Sequence, residues 1–106
     1  MDKHKPHYNL EEIKKAFSDA DNLGRMTTTA RNGIRALNFS DEDVVNVVQG
    51  LSIRDFHKSM TSQRDHTIWQ DVYFPKYQGV ELYVKFTRDE DDRYYLLISF
   101  KQSGEQ

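Results

Sequence analysis

Apolar residues recur at helical spacing in the first part of the chain. The first such stripe comprises Leu10, Ile13, Phe17 and Ala20. Asn9 stands where an N-cap would accept a backbone hydrogen bond, and Glu12 follows at the capping-box distance. The pattern therefore predicts a helix that begins after Asn9, continues through Ala20 and stops near Gly24.

Two further helices are predicted between residues 27 and 50. One follows the threonines at 27–29, with a stripe of Ala30, Ile34 and Leu37 that Gly33 weakens. The other begins at Ser40, which has Asp43 three residues later. The valine-rich run 44–48 also suits a strand because valine is β-branched, but the cap signals favour a helix. The same spacing of Ser52 and Asp55 predicts one more helical turn.

From Thr67 onward the apolar period changes from helical spacing to two. Three alternating runs, near 68–74, 80–87 and 94–101, are joined by short connections, which is typical of an antiparallel meander. We therefore predict an α+β fold of one domain over residues 1–106. In it, N-terminal helices pack on one face of a small antiparallel sheet of three to four strands.

Polar residues alternate with the apolar ones on the last two runs. If these strands pair, then Tyr83, Lys85 and Lys101 share the face that the helices leave uncovered, together with Glu81. This set is either an ordinary solvated sheet face or part of a site that binds an anion.

Charge and composition narrow the classes of protein. The 106 residues hold 15 Lys and Arg against 17 Asp and Glu, a net charge of −2 that argues against non-specific nucleic-acid binding. Cysteine is absent, which excludes disulfides and thiolate metal sites. No apolar run approaches the roughly 20 residues of a membrane span, so we expect no membrane association and a cytoplasmic protein.

Several kinds of catalytic site are missing from the sequence. There is no HExxH zinc motif, no phosphate-binding glycine loop and no G-x-S-x-G nucleophile motif, so we predict neither a metal nor a cofactor. The remaining Lys, Tyr, His, Gln and Glu side chains suit RNA cleavage by the RNA's own 2′-hydroxyl, which needs no metal. Trp69 and Tyr73 could stack an unpaired base, although Trp69 could equally be a core residue.

One segment narrows the possible functions further. Residues 50–75 read GLSIRDFHKSMTSQRDHTIWQDVYFP. It resembles the MqsR family of bacterial toxins in the patterns G-L-S, D-F-x-K-S-M-T and D-H-T-I-W-Q-D-V-Y-x-P. The resemblance continues through LYVK at 82–85 to SFK at 99–101.

The resemblance implies a RelE-like fold and a metal-independent, sequence-selective endoribonuclease that cleaves mRNA. It also implies a type II toxin–antitoxin pair, whose MqsA-type antitoxin carries a zinc-binding and a DNA-binding domain. The family's proposed catalytic residues carry over to Lys58, Gln70, Tyr83 and Lys101. Tyr83 and Lys101 are also residues that strand alternation assigns to the open face.

The candidate site also includes Arg64, Lys85 and His66, and one of the catalytic candidates, Gln70, has two interpretations. Alternation groups Gln70 with Ile68 and Val72 on the face we expect to be buried, so either a bulge turns Gln70 outward or it is structural. Arg64 is a candidate RNA-binding residue, as is Lys85. His66 could transfer a proton, although a turn residue bonded to backbone is the favoured interpretation.

Two alternatives to an active ribonuclease remain. The chain could be a catalytically weak or inactive relative that binds an antitoxin or RNA. It could also be an unrelated α+β interaction module, which the DHTIWQDVY run disfavours.

Overall fold

The computed structural model describes residues 2–104 and has an α+β architecture. The helices are α1 (Leu10–Ala16), α2 (Thr28–Ala36) and α3 (Asp41–Gln49). The strands are β1 (Asp2–Lys3), β2 (Arg25–Met26), β3 (Phe56–Thr61), β4 (Trp69–Tyr73), β5 (Lys76–Tyr77), β6 (Val80–Arg88) and β7 (Tyr95–Gln102). Single 3₁₀ turns occupy Ala20–Asn22 and Ile53–Asp55. Residues 1, 105 and 106 of the predicted domain lie outside the described residues.

The predicted starts of α1 and α3 are confirmed, because each is fixed by local cap chemistry. Helix α2 begins at Thr28 with Thr27 as its N-cap, within the threonines that it was predicted to follow. The Asn9 side chain accepts a hydrogen bond from the Glu12 amide at 3.1 Å. Ser40 and Asp43 make both bonds of a capping box, so the valine-rich run is helical. The predicted end of α1 was too late: the helix ends at Ala16, where the amide of Phe17 bonds to the Lys14 carbonyl.

The strand order is β1-β3-β4-β6-β7-β2, and β5 pairs with β6. All pairs are antiparallel except β2 with β7, which are parallel. The prediction of three to four antiparallel strands was therefore wrong in strand number and in the direction of one pair. Strands β1, β2 and β5 have two residues each, too few to show an alternation. The RelE-like classification stays a prediction.

One hydrophobic core lies between the helices and one face of the sheet. The strands contribute buried Tyr73, Leu82, Val84, Phe86, Leu97 and Phe100. Helix α2 lies so close to β7 that a Cβ added to Gly33 would stand 1.8 Å from the carbonyl oxygen of Phe100. Glycine is therefore required here by the close approach of two backbones.

A buried carboxylate attaches the N-terminal segment to the sheet. Asp71 is fully buried in β4 and accepts hydrogen bonds from the amides of His7 (3.0 Å) and Tyr8 (2.9 Å). It also accepts one from the Ser59 hydroxyl in β3, at 2.6 Å. Three donors satisfy the buried charge, and they bring residues 2–8 against β3 and β4.

A search of residues 2–104 finds no helix with the length and apolar character that crossing a membrane requires.

Candidate active site

Three lysines, Lys58, Lys85 and Lys101, lie on the sheet face opposite the helices, which we call the lysine face. Lys58 in β3 and Lys85 in β6 both pair with Val72 in β4, and Lys85 also pairs with Ser99 in β7. Directly paired residues share a face, so these four residues form one row across the sheet. Lys101 joins them from the next row, where it pairs with Tyr83.

Gln70 belongs to this same face. It lies two residues before Val72 on β4 and pairs with Met60, which lies two residues after Lys58 on β3. The expectation that Gln70 shares a helix-covered face with Val72 was therefore wrong. Val72 is buried, but on the face that carries the lysines, and no bulge at Gln70 is needed.

The structure thus places all four residues that the resemblance names as catalytic on one face of the sheet, together with Lys85. Gln70 lies on one side of the Lys58–Val72–Lys85 row, and the Tyr83–Lys101 pair lies on the other. The Nζ atoms of Lys101 and Lys85 lie 5.1 Å and 5.7 Å from the centre of the Tyr83 ring. Burial raises the pKa of the Tyr83 phenol. Burial lowers the pKa of Lys85, and the positive charges of Lys101 and Lys58 lower it further. The site therefore combines a protonated phenol with an amine that loses its proton more easily than usual.

We expect that Lys85→Met makes the folded protein more stable at pH 7. Below its lowered pKa, the Lys85 ammonium destabilises the fold, because it is partly buried near two other cations. Removing it should raise the free energy of unfolding by about 1 kcal/mol, or roughly 4–8 °C in Tm.

The pH dependence tests the cause of that effect. The advantage of Lys85→Met should shrink as pH rises through the folded pKa of Lys85, and it should disappear above the ordinary value of 10.5, where the amine is neutral in both states. Denaturant unfolding of both proteins across this range measures it, with the exposed Lys76→Met as control. A gain in stability that does not change with pH would contradict the electrostatic explanation.

Aromatic side chains that the sequence analysis missed adjoin the lysines. The ring of His57, which is exposed, stacks on that of Phe74 at 4.4 Å, and Phe74 contacts the Tyr83 ring at 5.7 Å. His57 occupies the irregularity between Phe56 and Lys58, where the β3–β4 register shifts. The mixture of aromatic and polar residues in FHKSMT was the available signal for this strand.

Trp69 and Tyr73 do not belong to the lysine face. Tyr73 is completely buried in the core, and burial raises the pKa of its phenol, so the prediction that it stacks an RNA base was wrong. Trp69 lies on the same side of β4 as Tyr73. Its ring is stacked by His7 at 5.2 Å and lies 4.2 Å from the Lys3 Nζ.

Arg64 and His66 lie in the loop that joins β3 to β4. The loop begins next to the Thr61–Trp69 pair. Thr61 is three residues, or roughly 10 Å, from Lys58 along β3. The Nδ1 atom of His66 is 3.5 Å from the Thr61 hydroxyl. Arg64 remains a predicted RNA contact, and His66 a possible proton-transfer residue, both at the margin of the site.

Acidic groups lie mainly elsewhere. Glu11 and Glu12 are in α1, and Asp41, Glu42 and Asp43 are in α3, on the other side of the sheet from the lysines. Although the net charge is −2, the sheet face opposite the helices therefore carries a cluster of positive charges. Within residues 2–104, no three His, Cys, Asp or Glu side chains are grouped so that they could hold a metal ion.

Comparison with known proteins agrees with the sequence pattern. Residues 5–102 match the sequence model of a family described as "Motility quorum-sensing regulator, toxin of MqsA". Over 104 residues the chain is 40% identical to the mRNA interferase toxin MqsR of Escherichia coli strain K12. That alignment covers 96% of this chain and 99% of the relative.

Proposed function

Because the chain belongs to the MqsR toxin family, we propose that it is a toxin that inhibits growth by cleaving mRNA at the lysine face. The observation that carries the proposal is that Lys58, Lys85, Lys101 and Tyr83 share the sheet face opposite the helices, with Lys85 and Lys101 beside the Tyr83 ring. RNA supplies its own nucleophile, so the protein needs only to orient the phosphate and move protons.

The phosphate is held by Lys58 and Lys101. Their charges stabilise the negative charge that grows on the phosphate oxygens as the 2′-oxygen attacks. Val72 lies between Lys58 and Lys85 and forms an apolar floor beneath the reacting group. Gln70 offers an amide that can donate to and accept from the RNA, and so orient it.

Proton transfer is assigned to Lys85 and Tyr83. Lys85 has a lowered pKa, so it is the group suited to accept the proton of the 2′-hydroxyl. Tyr83 has a raised pKa and is protonated at neutral pH, so it is suited to donate a proton to the departing 5′-oxygen. The oxygen–phosphorus bond to the 2′-oxygen forms as the bond to the 5′-oxygen breaks, which leaves a 2′,3′-cyclic phosphate.

The bases flanking the scissile phosphate have stacking surfaces beside the lysines. The stacked rings of His57 and Phe74 reach Tyr83 and offer a π-face on the same side of the sheet. In the cell, the partner that neutralises this activity is an MqsA-type antitoxin, since the matched family is described as the toxin of MqsA.

The proposed chemistry is tested with purified protein and an unstructured RNA in the presence of EDTA. We expect cleavage to persist and to leave 2′,3′-cyclic phosphate ends. A single 2′-deoxy substitution at the cleaved nucleotide should abolish cleavage there, because the nucleophile is gone.

Three results would count against this mechanism. Loss of activity in EDTA would contradict metal independence, and cleavage of the 2′-deoxy substrate would contradict attack by the 2′-hydroxyl. No cleavage of any RNA, together with growth arrest that persists when the lysine face is mutated, would indicate an inactive relative that acts by binding.

A further inference from the structure

A carboxylate stands on the lysine face beside Lys58. Strand β1 pairs antiparallel with β3, and Asp2 is directly opposite Met60, which places Asp2 on the same face as Lys58. The Oδ2 atom of Asp2 lies 3.4 Å from the Nζ atom of Lys58. Both side chains reach solvent, with 52% of Asp2 and 33% of Lys58 exposed, so an incoming ligand can replace the contact.

The segment that carries Asp2 is held at several points. Lys3 pairs with Ser59 in the ladder, and its Nζ atom lies 2.8 Å from His7 Nδ1. The amides of His7 and Tyr8 donate to buried Asp71. These contacts fix the backbone of residues 2–8 against the sheet and so keep the Asp2 carboxylate within reach of Lys58.

We propose that Asp2 is a positioning residue of the site, which holds Lys58 while RNA is absent and competes with the RNA phosphate for it. The inference rests on the proposed function, since it assumes that the lysine face binds RNA. A phosphate that binds Lys58 replaces one anion with another, so Lys58 contributes less binding free energy than an unpaired lysine. Asp2 therefore lowers the affinity for any phosphate and favours RNA that also contacts Lys101 and the aromatic rings.

We expect the Asp2→Asn variant to bind RNA more tightly than the wild-type protein. An exposed ion pair of this kind limits the gain to about two- to fivefold in Kd. With Lys58 unpaired, phosphate binding releases more counterion, so the slope of log affinity against log salt should steepen by up to about 0.7. In cleavage assays KM should fall while kcat stays unchanged, because the change affects bound substrate and transition state alike.

The test measures binding of a 2′-O-methyl RNA, which cannot be cleaved, to four proteins: wild type, Asp2→Asn, Lys58→Ala and the double variant. The matched control is Asp41→Asn, which removes one negative charge from an exposed ion pair with Arg31 on α2. Thermal melts establish that all variants are folded. We expect tighter binding from Asp2→Asn alone, and no effect of the same substitution in the Lys58→Ala background.

The outcomes separate this inference from the function on which it rests. Asp2→Asn that binds no more tightly than Asp41→Asn, or that binds more weakly than wild type, overturns the role of Asp2. Tighter binding that persists without Lys58 also overturns it, because the effect would then be general charge. Wild-type protein that neither binds nor cleaves RNA overturns the proposed function, and this inference with it.

Discussion

Replacing Lys101 with alanine is expected to slow RNA cleavage by about 100- to 1000-fold, the usual cost of removing one group that stabilises transition-state charge. Lys101 in β7 pairs with Tyr83 in β6, and its Nζ atom lies 5.1 Å from the Tyr83 ring. It is therefore positioned to stabilise charge on the phosphate and to keep the phenol oriented. Single-turnover cleavage measures the loss in the chemical step.

The pH–rate profile adds a second readout for Lys101→Ala. Lys101 is one of the charges that lower the pKa of Lys85, so removing it should raise that pKa. If Lys85 accepts the proton, the residual rate should begin to increase at a higher pH than in wild type. Lys76→Ala, at an exposed position in β5, is the control for loss of one positive charge. Wild-type activity in folded Lys101→Ala would remove Lys101 from the site.

Replacing Gly33 with alanine is expected to destabilise the protein, although alanine is the better helix former. On an exposed helix the change would stabilise by about 1 kcal/mol. Here the new methyl group would lie 1.8 Å from the Phe100 carbonyl oxygen, so α2 and β7 must separate. We expect a loss of about 2–3 kcal/mol in the free energy of unfolding, seen as a Tm lower by roughly 8–24 °C.

The Gly33→Ala variant should also lose part of its activity, because Phe100 precedes Lys101 in β7. Asn32→Ala, on the exposed side of the same helix, is the matched control and should leave the melting temperature unchanged or raise it. A Gly33→Ala protein as stable as wild type would show that the two backbones can separate at little cost.

Local chemistry explains which parts of the fold the sequence could predict. Helix starts were predictable because a cap residue such as Ser40 and its partner Asp43 lie within one turn of each other. The end of α1 was not, since apolar Phe17 and Ala20 continue its stripe although the helix stops at Ala16. Likewise, nothing in a two-residue strand such as β2 reveals that it pairs with a partner some 70 residues away.

Asp71 explains the largest error about the site. Its charge predicts an outward position, yet it is buried by hydrogen bonds from a segment more than 60 residues earlier. Because Asp71 was expected to face solvent, the two faces of β4 were assigned the wrong way round, and Gln70 was expected on the helix-covered face. The same carboxylate explains why β3 was not predicted: Ser59 is polar, yet it is buried because its hydroxyl donates to Asp71.

The residues of the candidate site differ in how far the sequence could predict them. Tyr83, Lys85 and Lys101 followed from alternation, since β6 and β7 are long. Lys58 and Gln70 required the family resemblance. His57 and Asp2 escaped both routes, because one depends on a register shift in β3 and the other on the pairing of a two-residue strand.

The place of β7 in the sheet has a consequence during protein synthesis. Every other strand precedes β7 in the chain, yet β7 lies between β6 and β2 and carries Lys101. A nascent chain that has emerged only as far as β6 therefore has an open sheet edge and an incomplete set of cations. A ribosome translating this toxin is thus not exposed to the finished nuclease until β7 has left the exit tunnel.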